Sequence, residues 1–337
     1  MDRRTFLKNA AMFAVLALEA RLAAKTGIGG GSREVRSLPP VSCNFGPLAA
    51  EQLPAAMENL AGAGARRLML TARQLTQCAD DAVYRGSLLD ATRKNGLRIF
   101  DVHAPHSMTN SFGFPAEEAD SLFFASARKA MTTAAELGAR TVTFHLARTR
   151  CVRQYAEKYG TFAKAETEKA KTRVLRQLEK VMPEAEKLGL MIALENLFLP
   201  TSTAAFLVSV MREYPHPNLG LTYDSGHALV VEKQPGKRPE EIAEWIRIGW
   251  DDDTVIFQDD QLDPMLEYVI TGHFHDNNGK NDEHKLPGEG IADWKRITDR
   301  LRRAPRLISV QSEVNTRNYG DDPGIQLKSF RRCGFDG

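Results

Sequence analysis

The run Tyr268-Val269-Ile270-Thr271-Gly272-His273-Phe274-His275-Asp276 decides how this chain is read. A β-rich segment delivers imidazoles and a carboxylate to the point where the strand ends. The chain continues as Asn277-Asn278-Gly279-Lys280-Asn281-Asp282-Glu283-His284-Lys285-Leu286-Pro287-Gly288-Glu289-Gly290, closing in a Pro-Gly-Glu-Gly turn. Such groups crowded at the carboxyl end of a strand suit a divalent metal ion, although a polar surface loop can hold similar residues. His273 precedes His275 by two, so in a strand both face the same side. His275, nearer the carboxyl end, is the better ligand; His273 reads as a packed or supporting histidine. Asp282 and His284 stand at i and i+2, which lets an extended loop aim both the same way.

Working outward, seven further β-like runs alternate with helical stretches: Val41–Phe45, Arg67–Thr71, Leu97–His103, Thr141–His145, Leu190–Glu195, Leu219–Asp224 and Leu307–Glu313. Helical patterns are expected over Leu53–Gly62, Asp80–Asn95, Ala116–Leu137, Phe162–Leu188, Thr203–Glu213, Pro239–Ile248 and Asp293–Arg303. Gly64, Gly96, Gly138 and Gly189 fall just ahead of strands, where helix carboxyl caps belong. Alternation of this kind predicts parallel strands joined by crossovers. Eight such strands close a (β/α)8 TIM barrel, an α/β fold whose function sits at the carboxyl ends of the strands. Two features strain that pattern. The excursion from Val230 to Leu266 is long, and the stretch after Glu313 is short for a full final helix.

The barrel rule can be tested on the residues themselves. Asn44, His103, His145, Glu195, Asp224, His275 and Glu313 close their runs or lie just beyond; only the second run lacks such a group. In a closed barrel they converge on one bowl. Glu195 follows an apolar strand, where a carboxylate is rarely tolerated without a partner. Asp224-Ser225-Gly226-His227 places a carboxylate and an imidazole one tight turn apart, with Gly226 expected to permit the turn; Asp224 also suits a helix cap. His103 and His145 read equally as wall histidines or as ligands, and His106 more as a wall residue. Phe144, Phe274 and Trp294 could offer stacking faces, but aromatic residues near a barrel mouth are more often packing.

Composition narrows the function. A net charge of +2 over 337 residues offers no general basic field, so no nucleic-acid partner is expected. The basic run Arg300–Arg306 is expected on the solvated face and end of a helix. Cys43, Cys78, Cys151 and Cys333 have no paired spacing, which speaks against a zinc knuckle or a disulfide framework. Met1-Asp2-Arg3-Arg4-Thr5-Phe6-Leu7-Lys8, followed by the apolar run Ala10–Leu18, resembles a twin-arginine export signal over residues 1–25. It departs from that pattern at Asp2, Glu19 and Arg21. Residues 26–40 then read as a flexible linker, 41–337 as one catalytic barrel, and the location as periplasmic. No stable membrane anchor is expected, and a homo-oligomer is compatible with the sequence.

The set Val102-His103-Ala104-Pro105, Phe144-His145, Leu194-Glu195-Asn196, Asp224-x-x-His227, His275-Asp276-Asn277, Asp282-x-His284-x-x-x-Gly288-x-Gly290-x-x-Asp293-Trp294 and Glu313 resembles the xylose isomerase-like TIM-barrel superfamily. The likeness covers Val41 to Val314 and keeps the family's order. That superfamily includes sugar isomerases and epimerases and the endonuclease IV group of abasic-site nucleases. The resemblance implies one divalent ion (Mn, Mg, Co or Zn) held by Glu195, Asp224, His275 and Glu313. It implies that Glu195 and Glu313 pass a proton off and back onto a ketose through an enediolate, while His227 holds a substrate oxygen. In the endonuclease IV group, three zinc ions use additional ligands, whose positions match His103, His145, His227, Asp282 and His284. The expected function is therefore a metal-dependent sugar isomerase or epimerase, a related lyase included. The alternatives are a trinuclear zinc phosphodiesterase and a non-catalytic periplasmic carbohydrate-binding barrel.

Overall fold

The computed structural model describes residues 36–105, 116–146 and 167–336. The expected export signal, most of the expected linker, His106 and Cys151 lie outside these residues. Eight parallel strands close on themselves in sequence order: β1 (Val41–Cys43), β2 (Arg67–Leu70), β3 (Arg98–His103), β4 (Thr141–Phe144), β5 (Met191–Glu195), β6 (Leu219–Asp224), β7 (Val269–Phe274) and β8 (Val310–Ser312). β8 pairs back onto β1 through Val41 opposite Val310 and Ser42 opposite Gln311. The expected TIM barrel is what the chain forms. Register shifts fall at Leu68/Met69 between β2 and β3, and at Leu221/Thr222 between β6 and β7.

The local chemistry explains the helices around the barrel. Thr71 caps Ala72–Asp80 by accepting the Gln74 N–H, and Gln74 returns a bond to the Thr71 N–H. The sequence pattern assigns no helix to this stretch, and Asp81 caps a second helix, Ala82–Lys94. Thr203, Asp293 and Asp322 cap Ala204–Glu213, Trp294–Leu301 and Pro323–Arg332 in the same way. Gly64, Gly96, Gly138 and Gly189 all have positive φ, as carboxyl caps require.

Three expectations are corrected. A full final helix does fit after Glu313: Pro323–Arg332 starts on Pro323, and its Phe330 is fully buried. Residues 36–40 are not free linker. Leu38 is buried, its N–H donates to Asp336 Oδ2 at 2.7 Å, and Arg36–Gly337 forms one compact unit. The helix expected over Pro239–Ile248 is a 3-10 turn, Pro239–Glu241, followed by the short helix Glu244–Arg247. Among the described residues, no helix is long and apolar enough to cross a membrane. Cys43 and Cys78 are buried free thiols and Cys333 is a half-buried one.

Candidate metal centre

The carboxyl ends of the strands form the bowl, and Glu195 lies at its centre. Its Oε2 is 2.6 Å from His145 Nε2 and 3.2 Å from His103 Nε2; its Oε1 is 3.0 Å from His273 Nδ1 and 3.3 Å from His227 Nδ1. Four imidazoles, from β3, β7 and the segments after β4 and β6, thus surround one buried carboxylate. Burial pushes the Glu195 carboxyl up, but His273 and His145 override it and hold the group well below the usual carboxylate range. His103 is oriented by donating Nδ1–H to the Ala104 carbonyl at 2.7 Å.

Asp224 serves as both helix cap and site residue. Its Oδ1 accepts the His227 N–H at 2.6 Å, starting the helix Ser225–Val231, while its Oδ2 lies 3.2 Å from His275 Nε2. Asn196 fixes it on the strand side, accepting the Asp224 N–H at 2.7 Å and donating to its carbonyl at 3.0 Å. Gly226 is needed for a reason other than the expected turn. A β-carbon there would lie 1.9 Å from His275 Cε1, so only a glycine lets the imidazole pass.

The loop after β7 brings in Asp282 and His284. His284 stands at φ +50°, a costly conformation for a residue with a β-carbon. Its ring is fixed by donating Nδ1–H to the Glu313 carbonyl at 2.6 Å and by Nε2 lying 3.1 Å from Asp282 Oδ2. Asp282 Oδ2 also lies 3.4 Å from His227 Nε2. Burial opposes charge on each group, yet Asp224 and Asp282 lift His227 well above its usual range, while His227 and His284 hold Asp282 well below its own.

Glu195, Asp224, His273 and Glu313 each place a ligand atom within 4.8 Å of the other three. His103, His145 and Glu195 form a second such group, and His275, Asp282 and His284 a third. Glu313 Oε2, Asp282 Oδ1 and His275 Nδ1 are buried without a hydrogen-bond partner. Carboxylate oxygens and imidazole nitrogens left in this state fit a divalent cation. The central group of four contains His273, while His275, the expected ligand, falls in the group with Asp282 and His284. Both face the bowl, as strand alternation requires. His273 is fully buried, with its Nδ1 3.0 Å from Glu195 and 3.3 Å from Glu313, while His275 Nε2 lies 4.0 Å from Glu313 Oε2.

A family model described as xylose isomerase-like TIM barrel matches residues 57–330. The chain belongs to that family. A curated relative from Methanocaldococcus jannaschii is 28% identical over 142 residues, spanning 40% of this chain and 41% of that protein. The chain therefore matches well under half of that relative's length. Among solved structures, a D-tagatose 3-epimerase-like protein aligns at TM-score 0.59 and 21% identity, covering 87% of this chain and 98% of its own. A 3-keto-D-glucoside 4-epimerase from E. coli aligns at TM-score 0.62 and 13% identity, covering 88% and 100%. A structure of an IOLI protein with a bound zinc atom aligns at 0.58 and 16%, covering 87% and 96%. At these identities the likenesses show the xylose isomerase-like fold.

Some expected residues lie elsewhere. Asn44 stays out of the metal groups; it donates to the Val314 carbonyl at 2.7 Å and accepts from Gln326 at 2.6 Å, tying β1 to the end of β8. Phe144, Phe274 and Trp294 are buried at 3%, 0% and 7% exposure, with no broad face for a sugar. Asp276 was missed. Its carboxylate accepts N–H groups of Asn277, Gly288 and Ala292 and the Trp294 indole N–H, so the Pro-Gly-Glu-Gly turn folds around it. Its position directly after His275 was the available signal.

Proposed function

We propose that this chain is a divalent-metal-dependent sugar isomerase or epimerase acting on a ketose or related sugar. The observation that carries the reading is the pairing of Glu195 and Glu313, carried on β5 and just after β8, within one four-residue ligand group. Glu195, Asp224, Glu313 and a histidine, His273 or His275, would hold the ion. Bound there, it supplies positive charge that polarises a carbonyl and its neighbouring hydroxyl and makes the adjacent C–H acidic. Glu195 and Glu313 then bracket the reacting carbon, one accepting its proton and the other returning one. His227, fixed by donating Nδ1–H to the Asn196 carbonyl at 2.9 Å, presents Nε2 to a substrate oxygen. The buried walls exclude bulk water and strengthen these interactions.

The test is metal content per chain together with solvent deuterium incorporation into ketoses. About one ion per chain, with deuterium at a carbon beside the carbonyl, supports the reading. A metal-loaded protein that exchanges no ketose or keto-sugar proton overturns it. The spread of ligand groups beyond the central one, over His103 and His145 on one side and His275, Asp282 and His284 on the other, also favours a second reading, a trinuclear zinc phosphodiesterase. It requires about three zinc ions per chain and cleavage of abasic-site DNA. A non-catalytic carbohydrate-binding barrel is disfavoured by the retained glutamate pair, which binding alone does not need.

Export through a twin-arginine route, with residues 1–25 as the signal, completes the proposal. The paired Arg3-Arg4 supports it. Replacing both with lysine should retain the protein in the cytoplasm, and undiminished export would exclude this route.

A further inference from the structure

The excursion between β6 and β7 plays no part in the proton transfer proposed above. It carries a core of its own, in which Val230, Val231, Ile242, Ile246, Trp250 and Val255 pack together with Phe198 and Phe257 against them. It is fastened to the loop after β7 at three points. The Ala243 N–H donates to the Lys280 carbonyl at 2.9 Å, Lys280 Nζ lies 2.8 Å from Glu241, and Trp245 Nε1–H donates to Asn281 Oδ1 at 3.1 Å. Asn281 immediately precedes Asp282, so the excursion is tied to the rim of the metal centre.

The fastening leads to a line of rings. The Phe198 ring packs edge-to-face with His227 at 5.1 Å between centroids and, in the same manner, with Trp245 at 5.0 Å. The Phe198 carbonyl is held by the Trp250 indole N–H at 2.8 Å. From a residue of the metal centre, two ring-to-ring steps therefore reach Trp245. The tryptophans differ sharply in exposure: Trp250 and Trp294 are 3% and 7% exposed, Trp245 46%. A large ring left about half exposed, yet fixed by a hydrogen bond and a ring contact, is preorganised for a ligand. The Asn281 amide and the Lys280–Glu241 pair lie beside it, offering polar partners of the kind sugar hydroxyls need. An amphipathic surface of this sort suits a sugar ring, which has C–H faces and a hydroxyl edge.

We propose that Trp245 and Phe198 form a subsite for a second ring, so that the substrate class is a disaccharide or glycoside. The reacting sugar would occupy the metal centre and the second ring would lie along Trp245. The inference deepens the proposed sugar isomerase or epimerase reading and rests on it for the chemistry, but not for the binding.

Binding can be read without turnover, because Trp245 is the one exposed tryptophan in the chain. Metal-loaded protein is titrated with cellobiose, maltose and sucrose, and with D-fructose as the single-ring control, following indole emission. At least one disaccharide should perturb the emission and bind about tenfold more tightly than fructose, as a well-placed aromatic contact allows. Trp245→Ala should bring that preference ratio close to unity, and Trp245→Phe, which keeps a ring, should retain most of it. Equal binding of fructose and all three disaccharides overturns the subsite, as does a preference untouched in both variants. Deuterium exchange into fructose without any disaccharide preference refutes the subsite and leaves the reaction standing. Disaccharide binding at Trp245 without exchange into any keto-sugar has the opposite meaning.

Discussion

Gly226 and His275 meet so closely that a β-carbon on the glycine would lie 1.9 Å from the imidazole Cε1. Gly226 sits in the helix Ser225–Val231, where alanine would ordinarily gain about 1 kcal/mol. Gly226→Ala should instead destabilise the protein and displace His275. A roughly 10–100-fold loss of metal affinity is expected, as when a ligand's support is removed. Competition against a chromogenic chelator measures it; unchanged affinity would show that His275 is not needed to hold the ion.

Glu313→Gln keeps the side-chain shape and removes the proton-carrying group. Turnover should fall by about 10²–10⁴-fold, the usual range for a lost acid–base group, while circular dichroism and thermal midpoint stay near wild type. The readout is the initial rate of solvent deuterium incorporation into a ketose substrate. A variant retaining most of its exchange rate would remove Glu313 from proton transfer.

His284 makes the metal-free protein sensitive to pH. Burial lowers its imidazole, but Asp282 chiefly, then Glu313 and Asp224, lift it from 6.5 to about 9. A pKa raised on folding contributes stability that is fully present below about 6.5 and is lost as pH rises through about 9. The melting temperature of chelator-treated protein should therefore fall between pH 7 and 9.5, and less steeply in Asp282→Asn. Zinc should shrink the fall, because the ligating form of the imidazole is already neutral. A melting temperature flat across this range without metal would contradict the pairing.

Asp276 gathers three backbone N–H groups and the Trp294 indole N–H, at 2.8 to 3.2 Å. Asp276→Ala should cost about 3–5 kcal/mol, since truncation strands several buried donors at once. Urea unfolding gives the loss. Hydrogen exchange should accelerate across residues 277–292 before the rest of the barrel, and uniform protection would argue against this role.

Much of this was legible from local pattern. The strands, the placement of Glu195, Asp224 and Glu313 at their ends and the glycine caps follow from apolar runs and turn residues a few positions apart. Ala72–Asp80 escaped because its stripe is short, with Leu75 and Cys78 as the buried apolar side chains beside the Thr71–Gln74 cap. Phe144, Phe274 and Trp294 read more readily as core than as stacking faces, and they are buried, but an aromatic side chain does not announce which face it buries.

By itself, the sequence determined that strands and helices alternate and that ionisable groups collect at one end of each strand. Both are consequences of short-range periodicity and turn chemistry. Only the tertiary structure decided that His273 lies nearer to Glu195 and Glu313 than His275 does, that Gly226 yields space to an imidazole 49 residues away in the chain, and that Trp245 is held at the rim. Each depends on the pairing of β7 with β6 and β8 or on docking of the excursion, which bring together groups far apart in the chain. No local pattern encodes which atoms then meet.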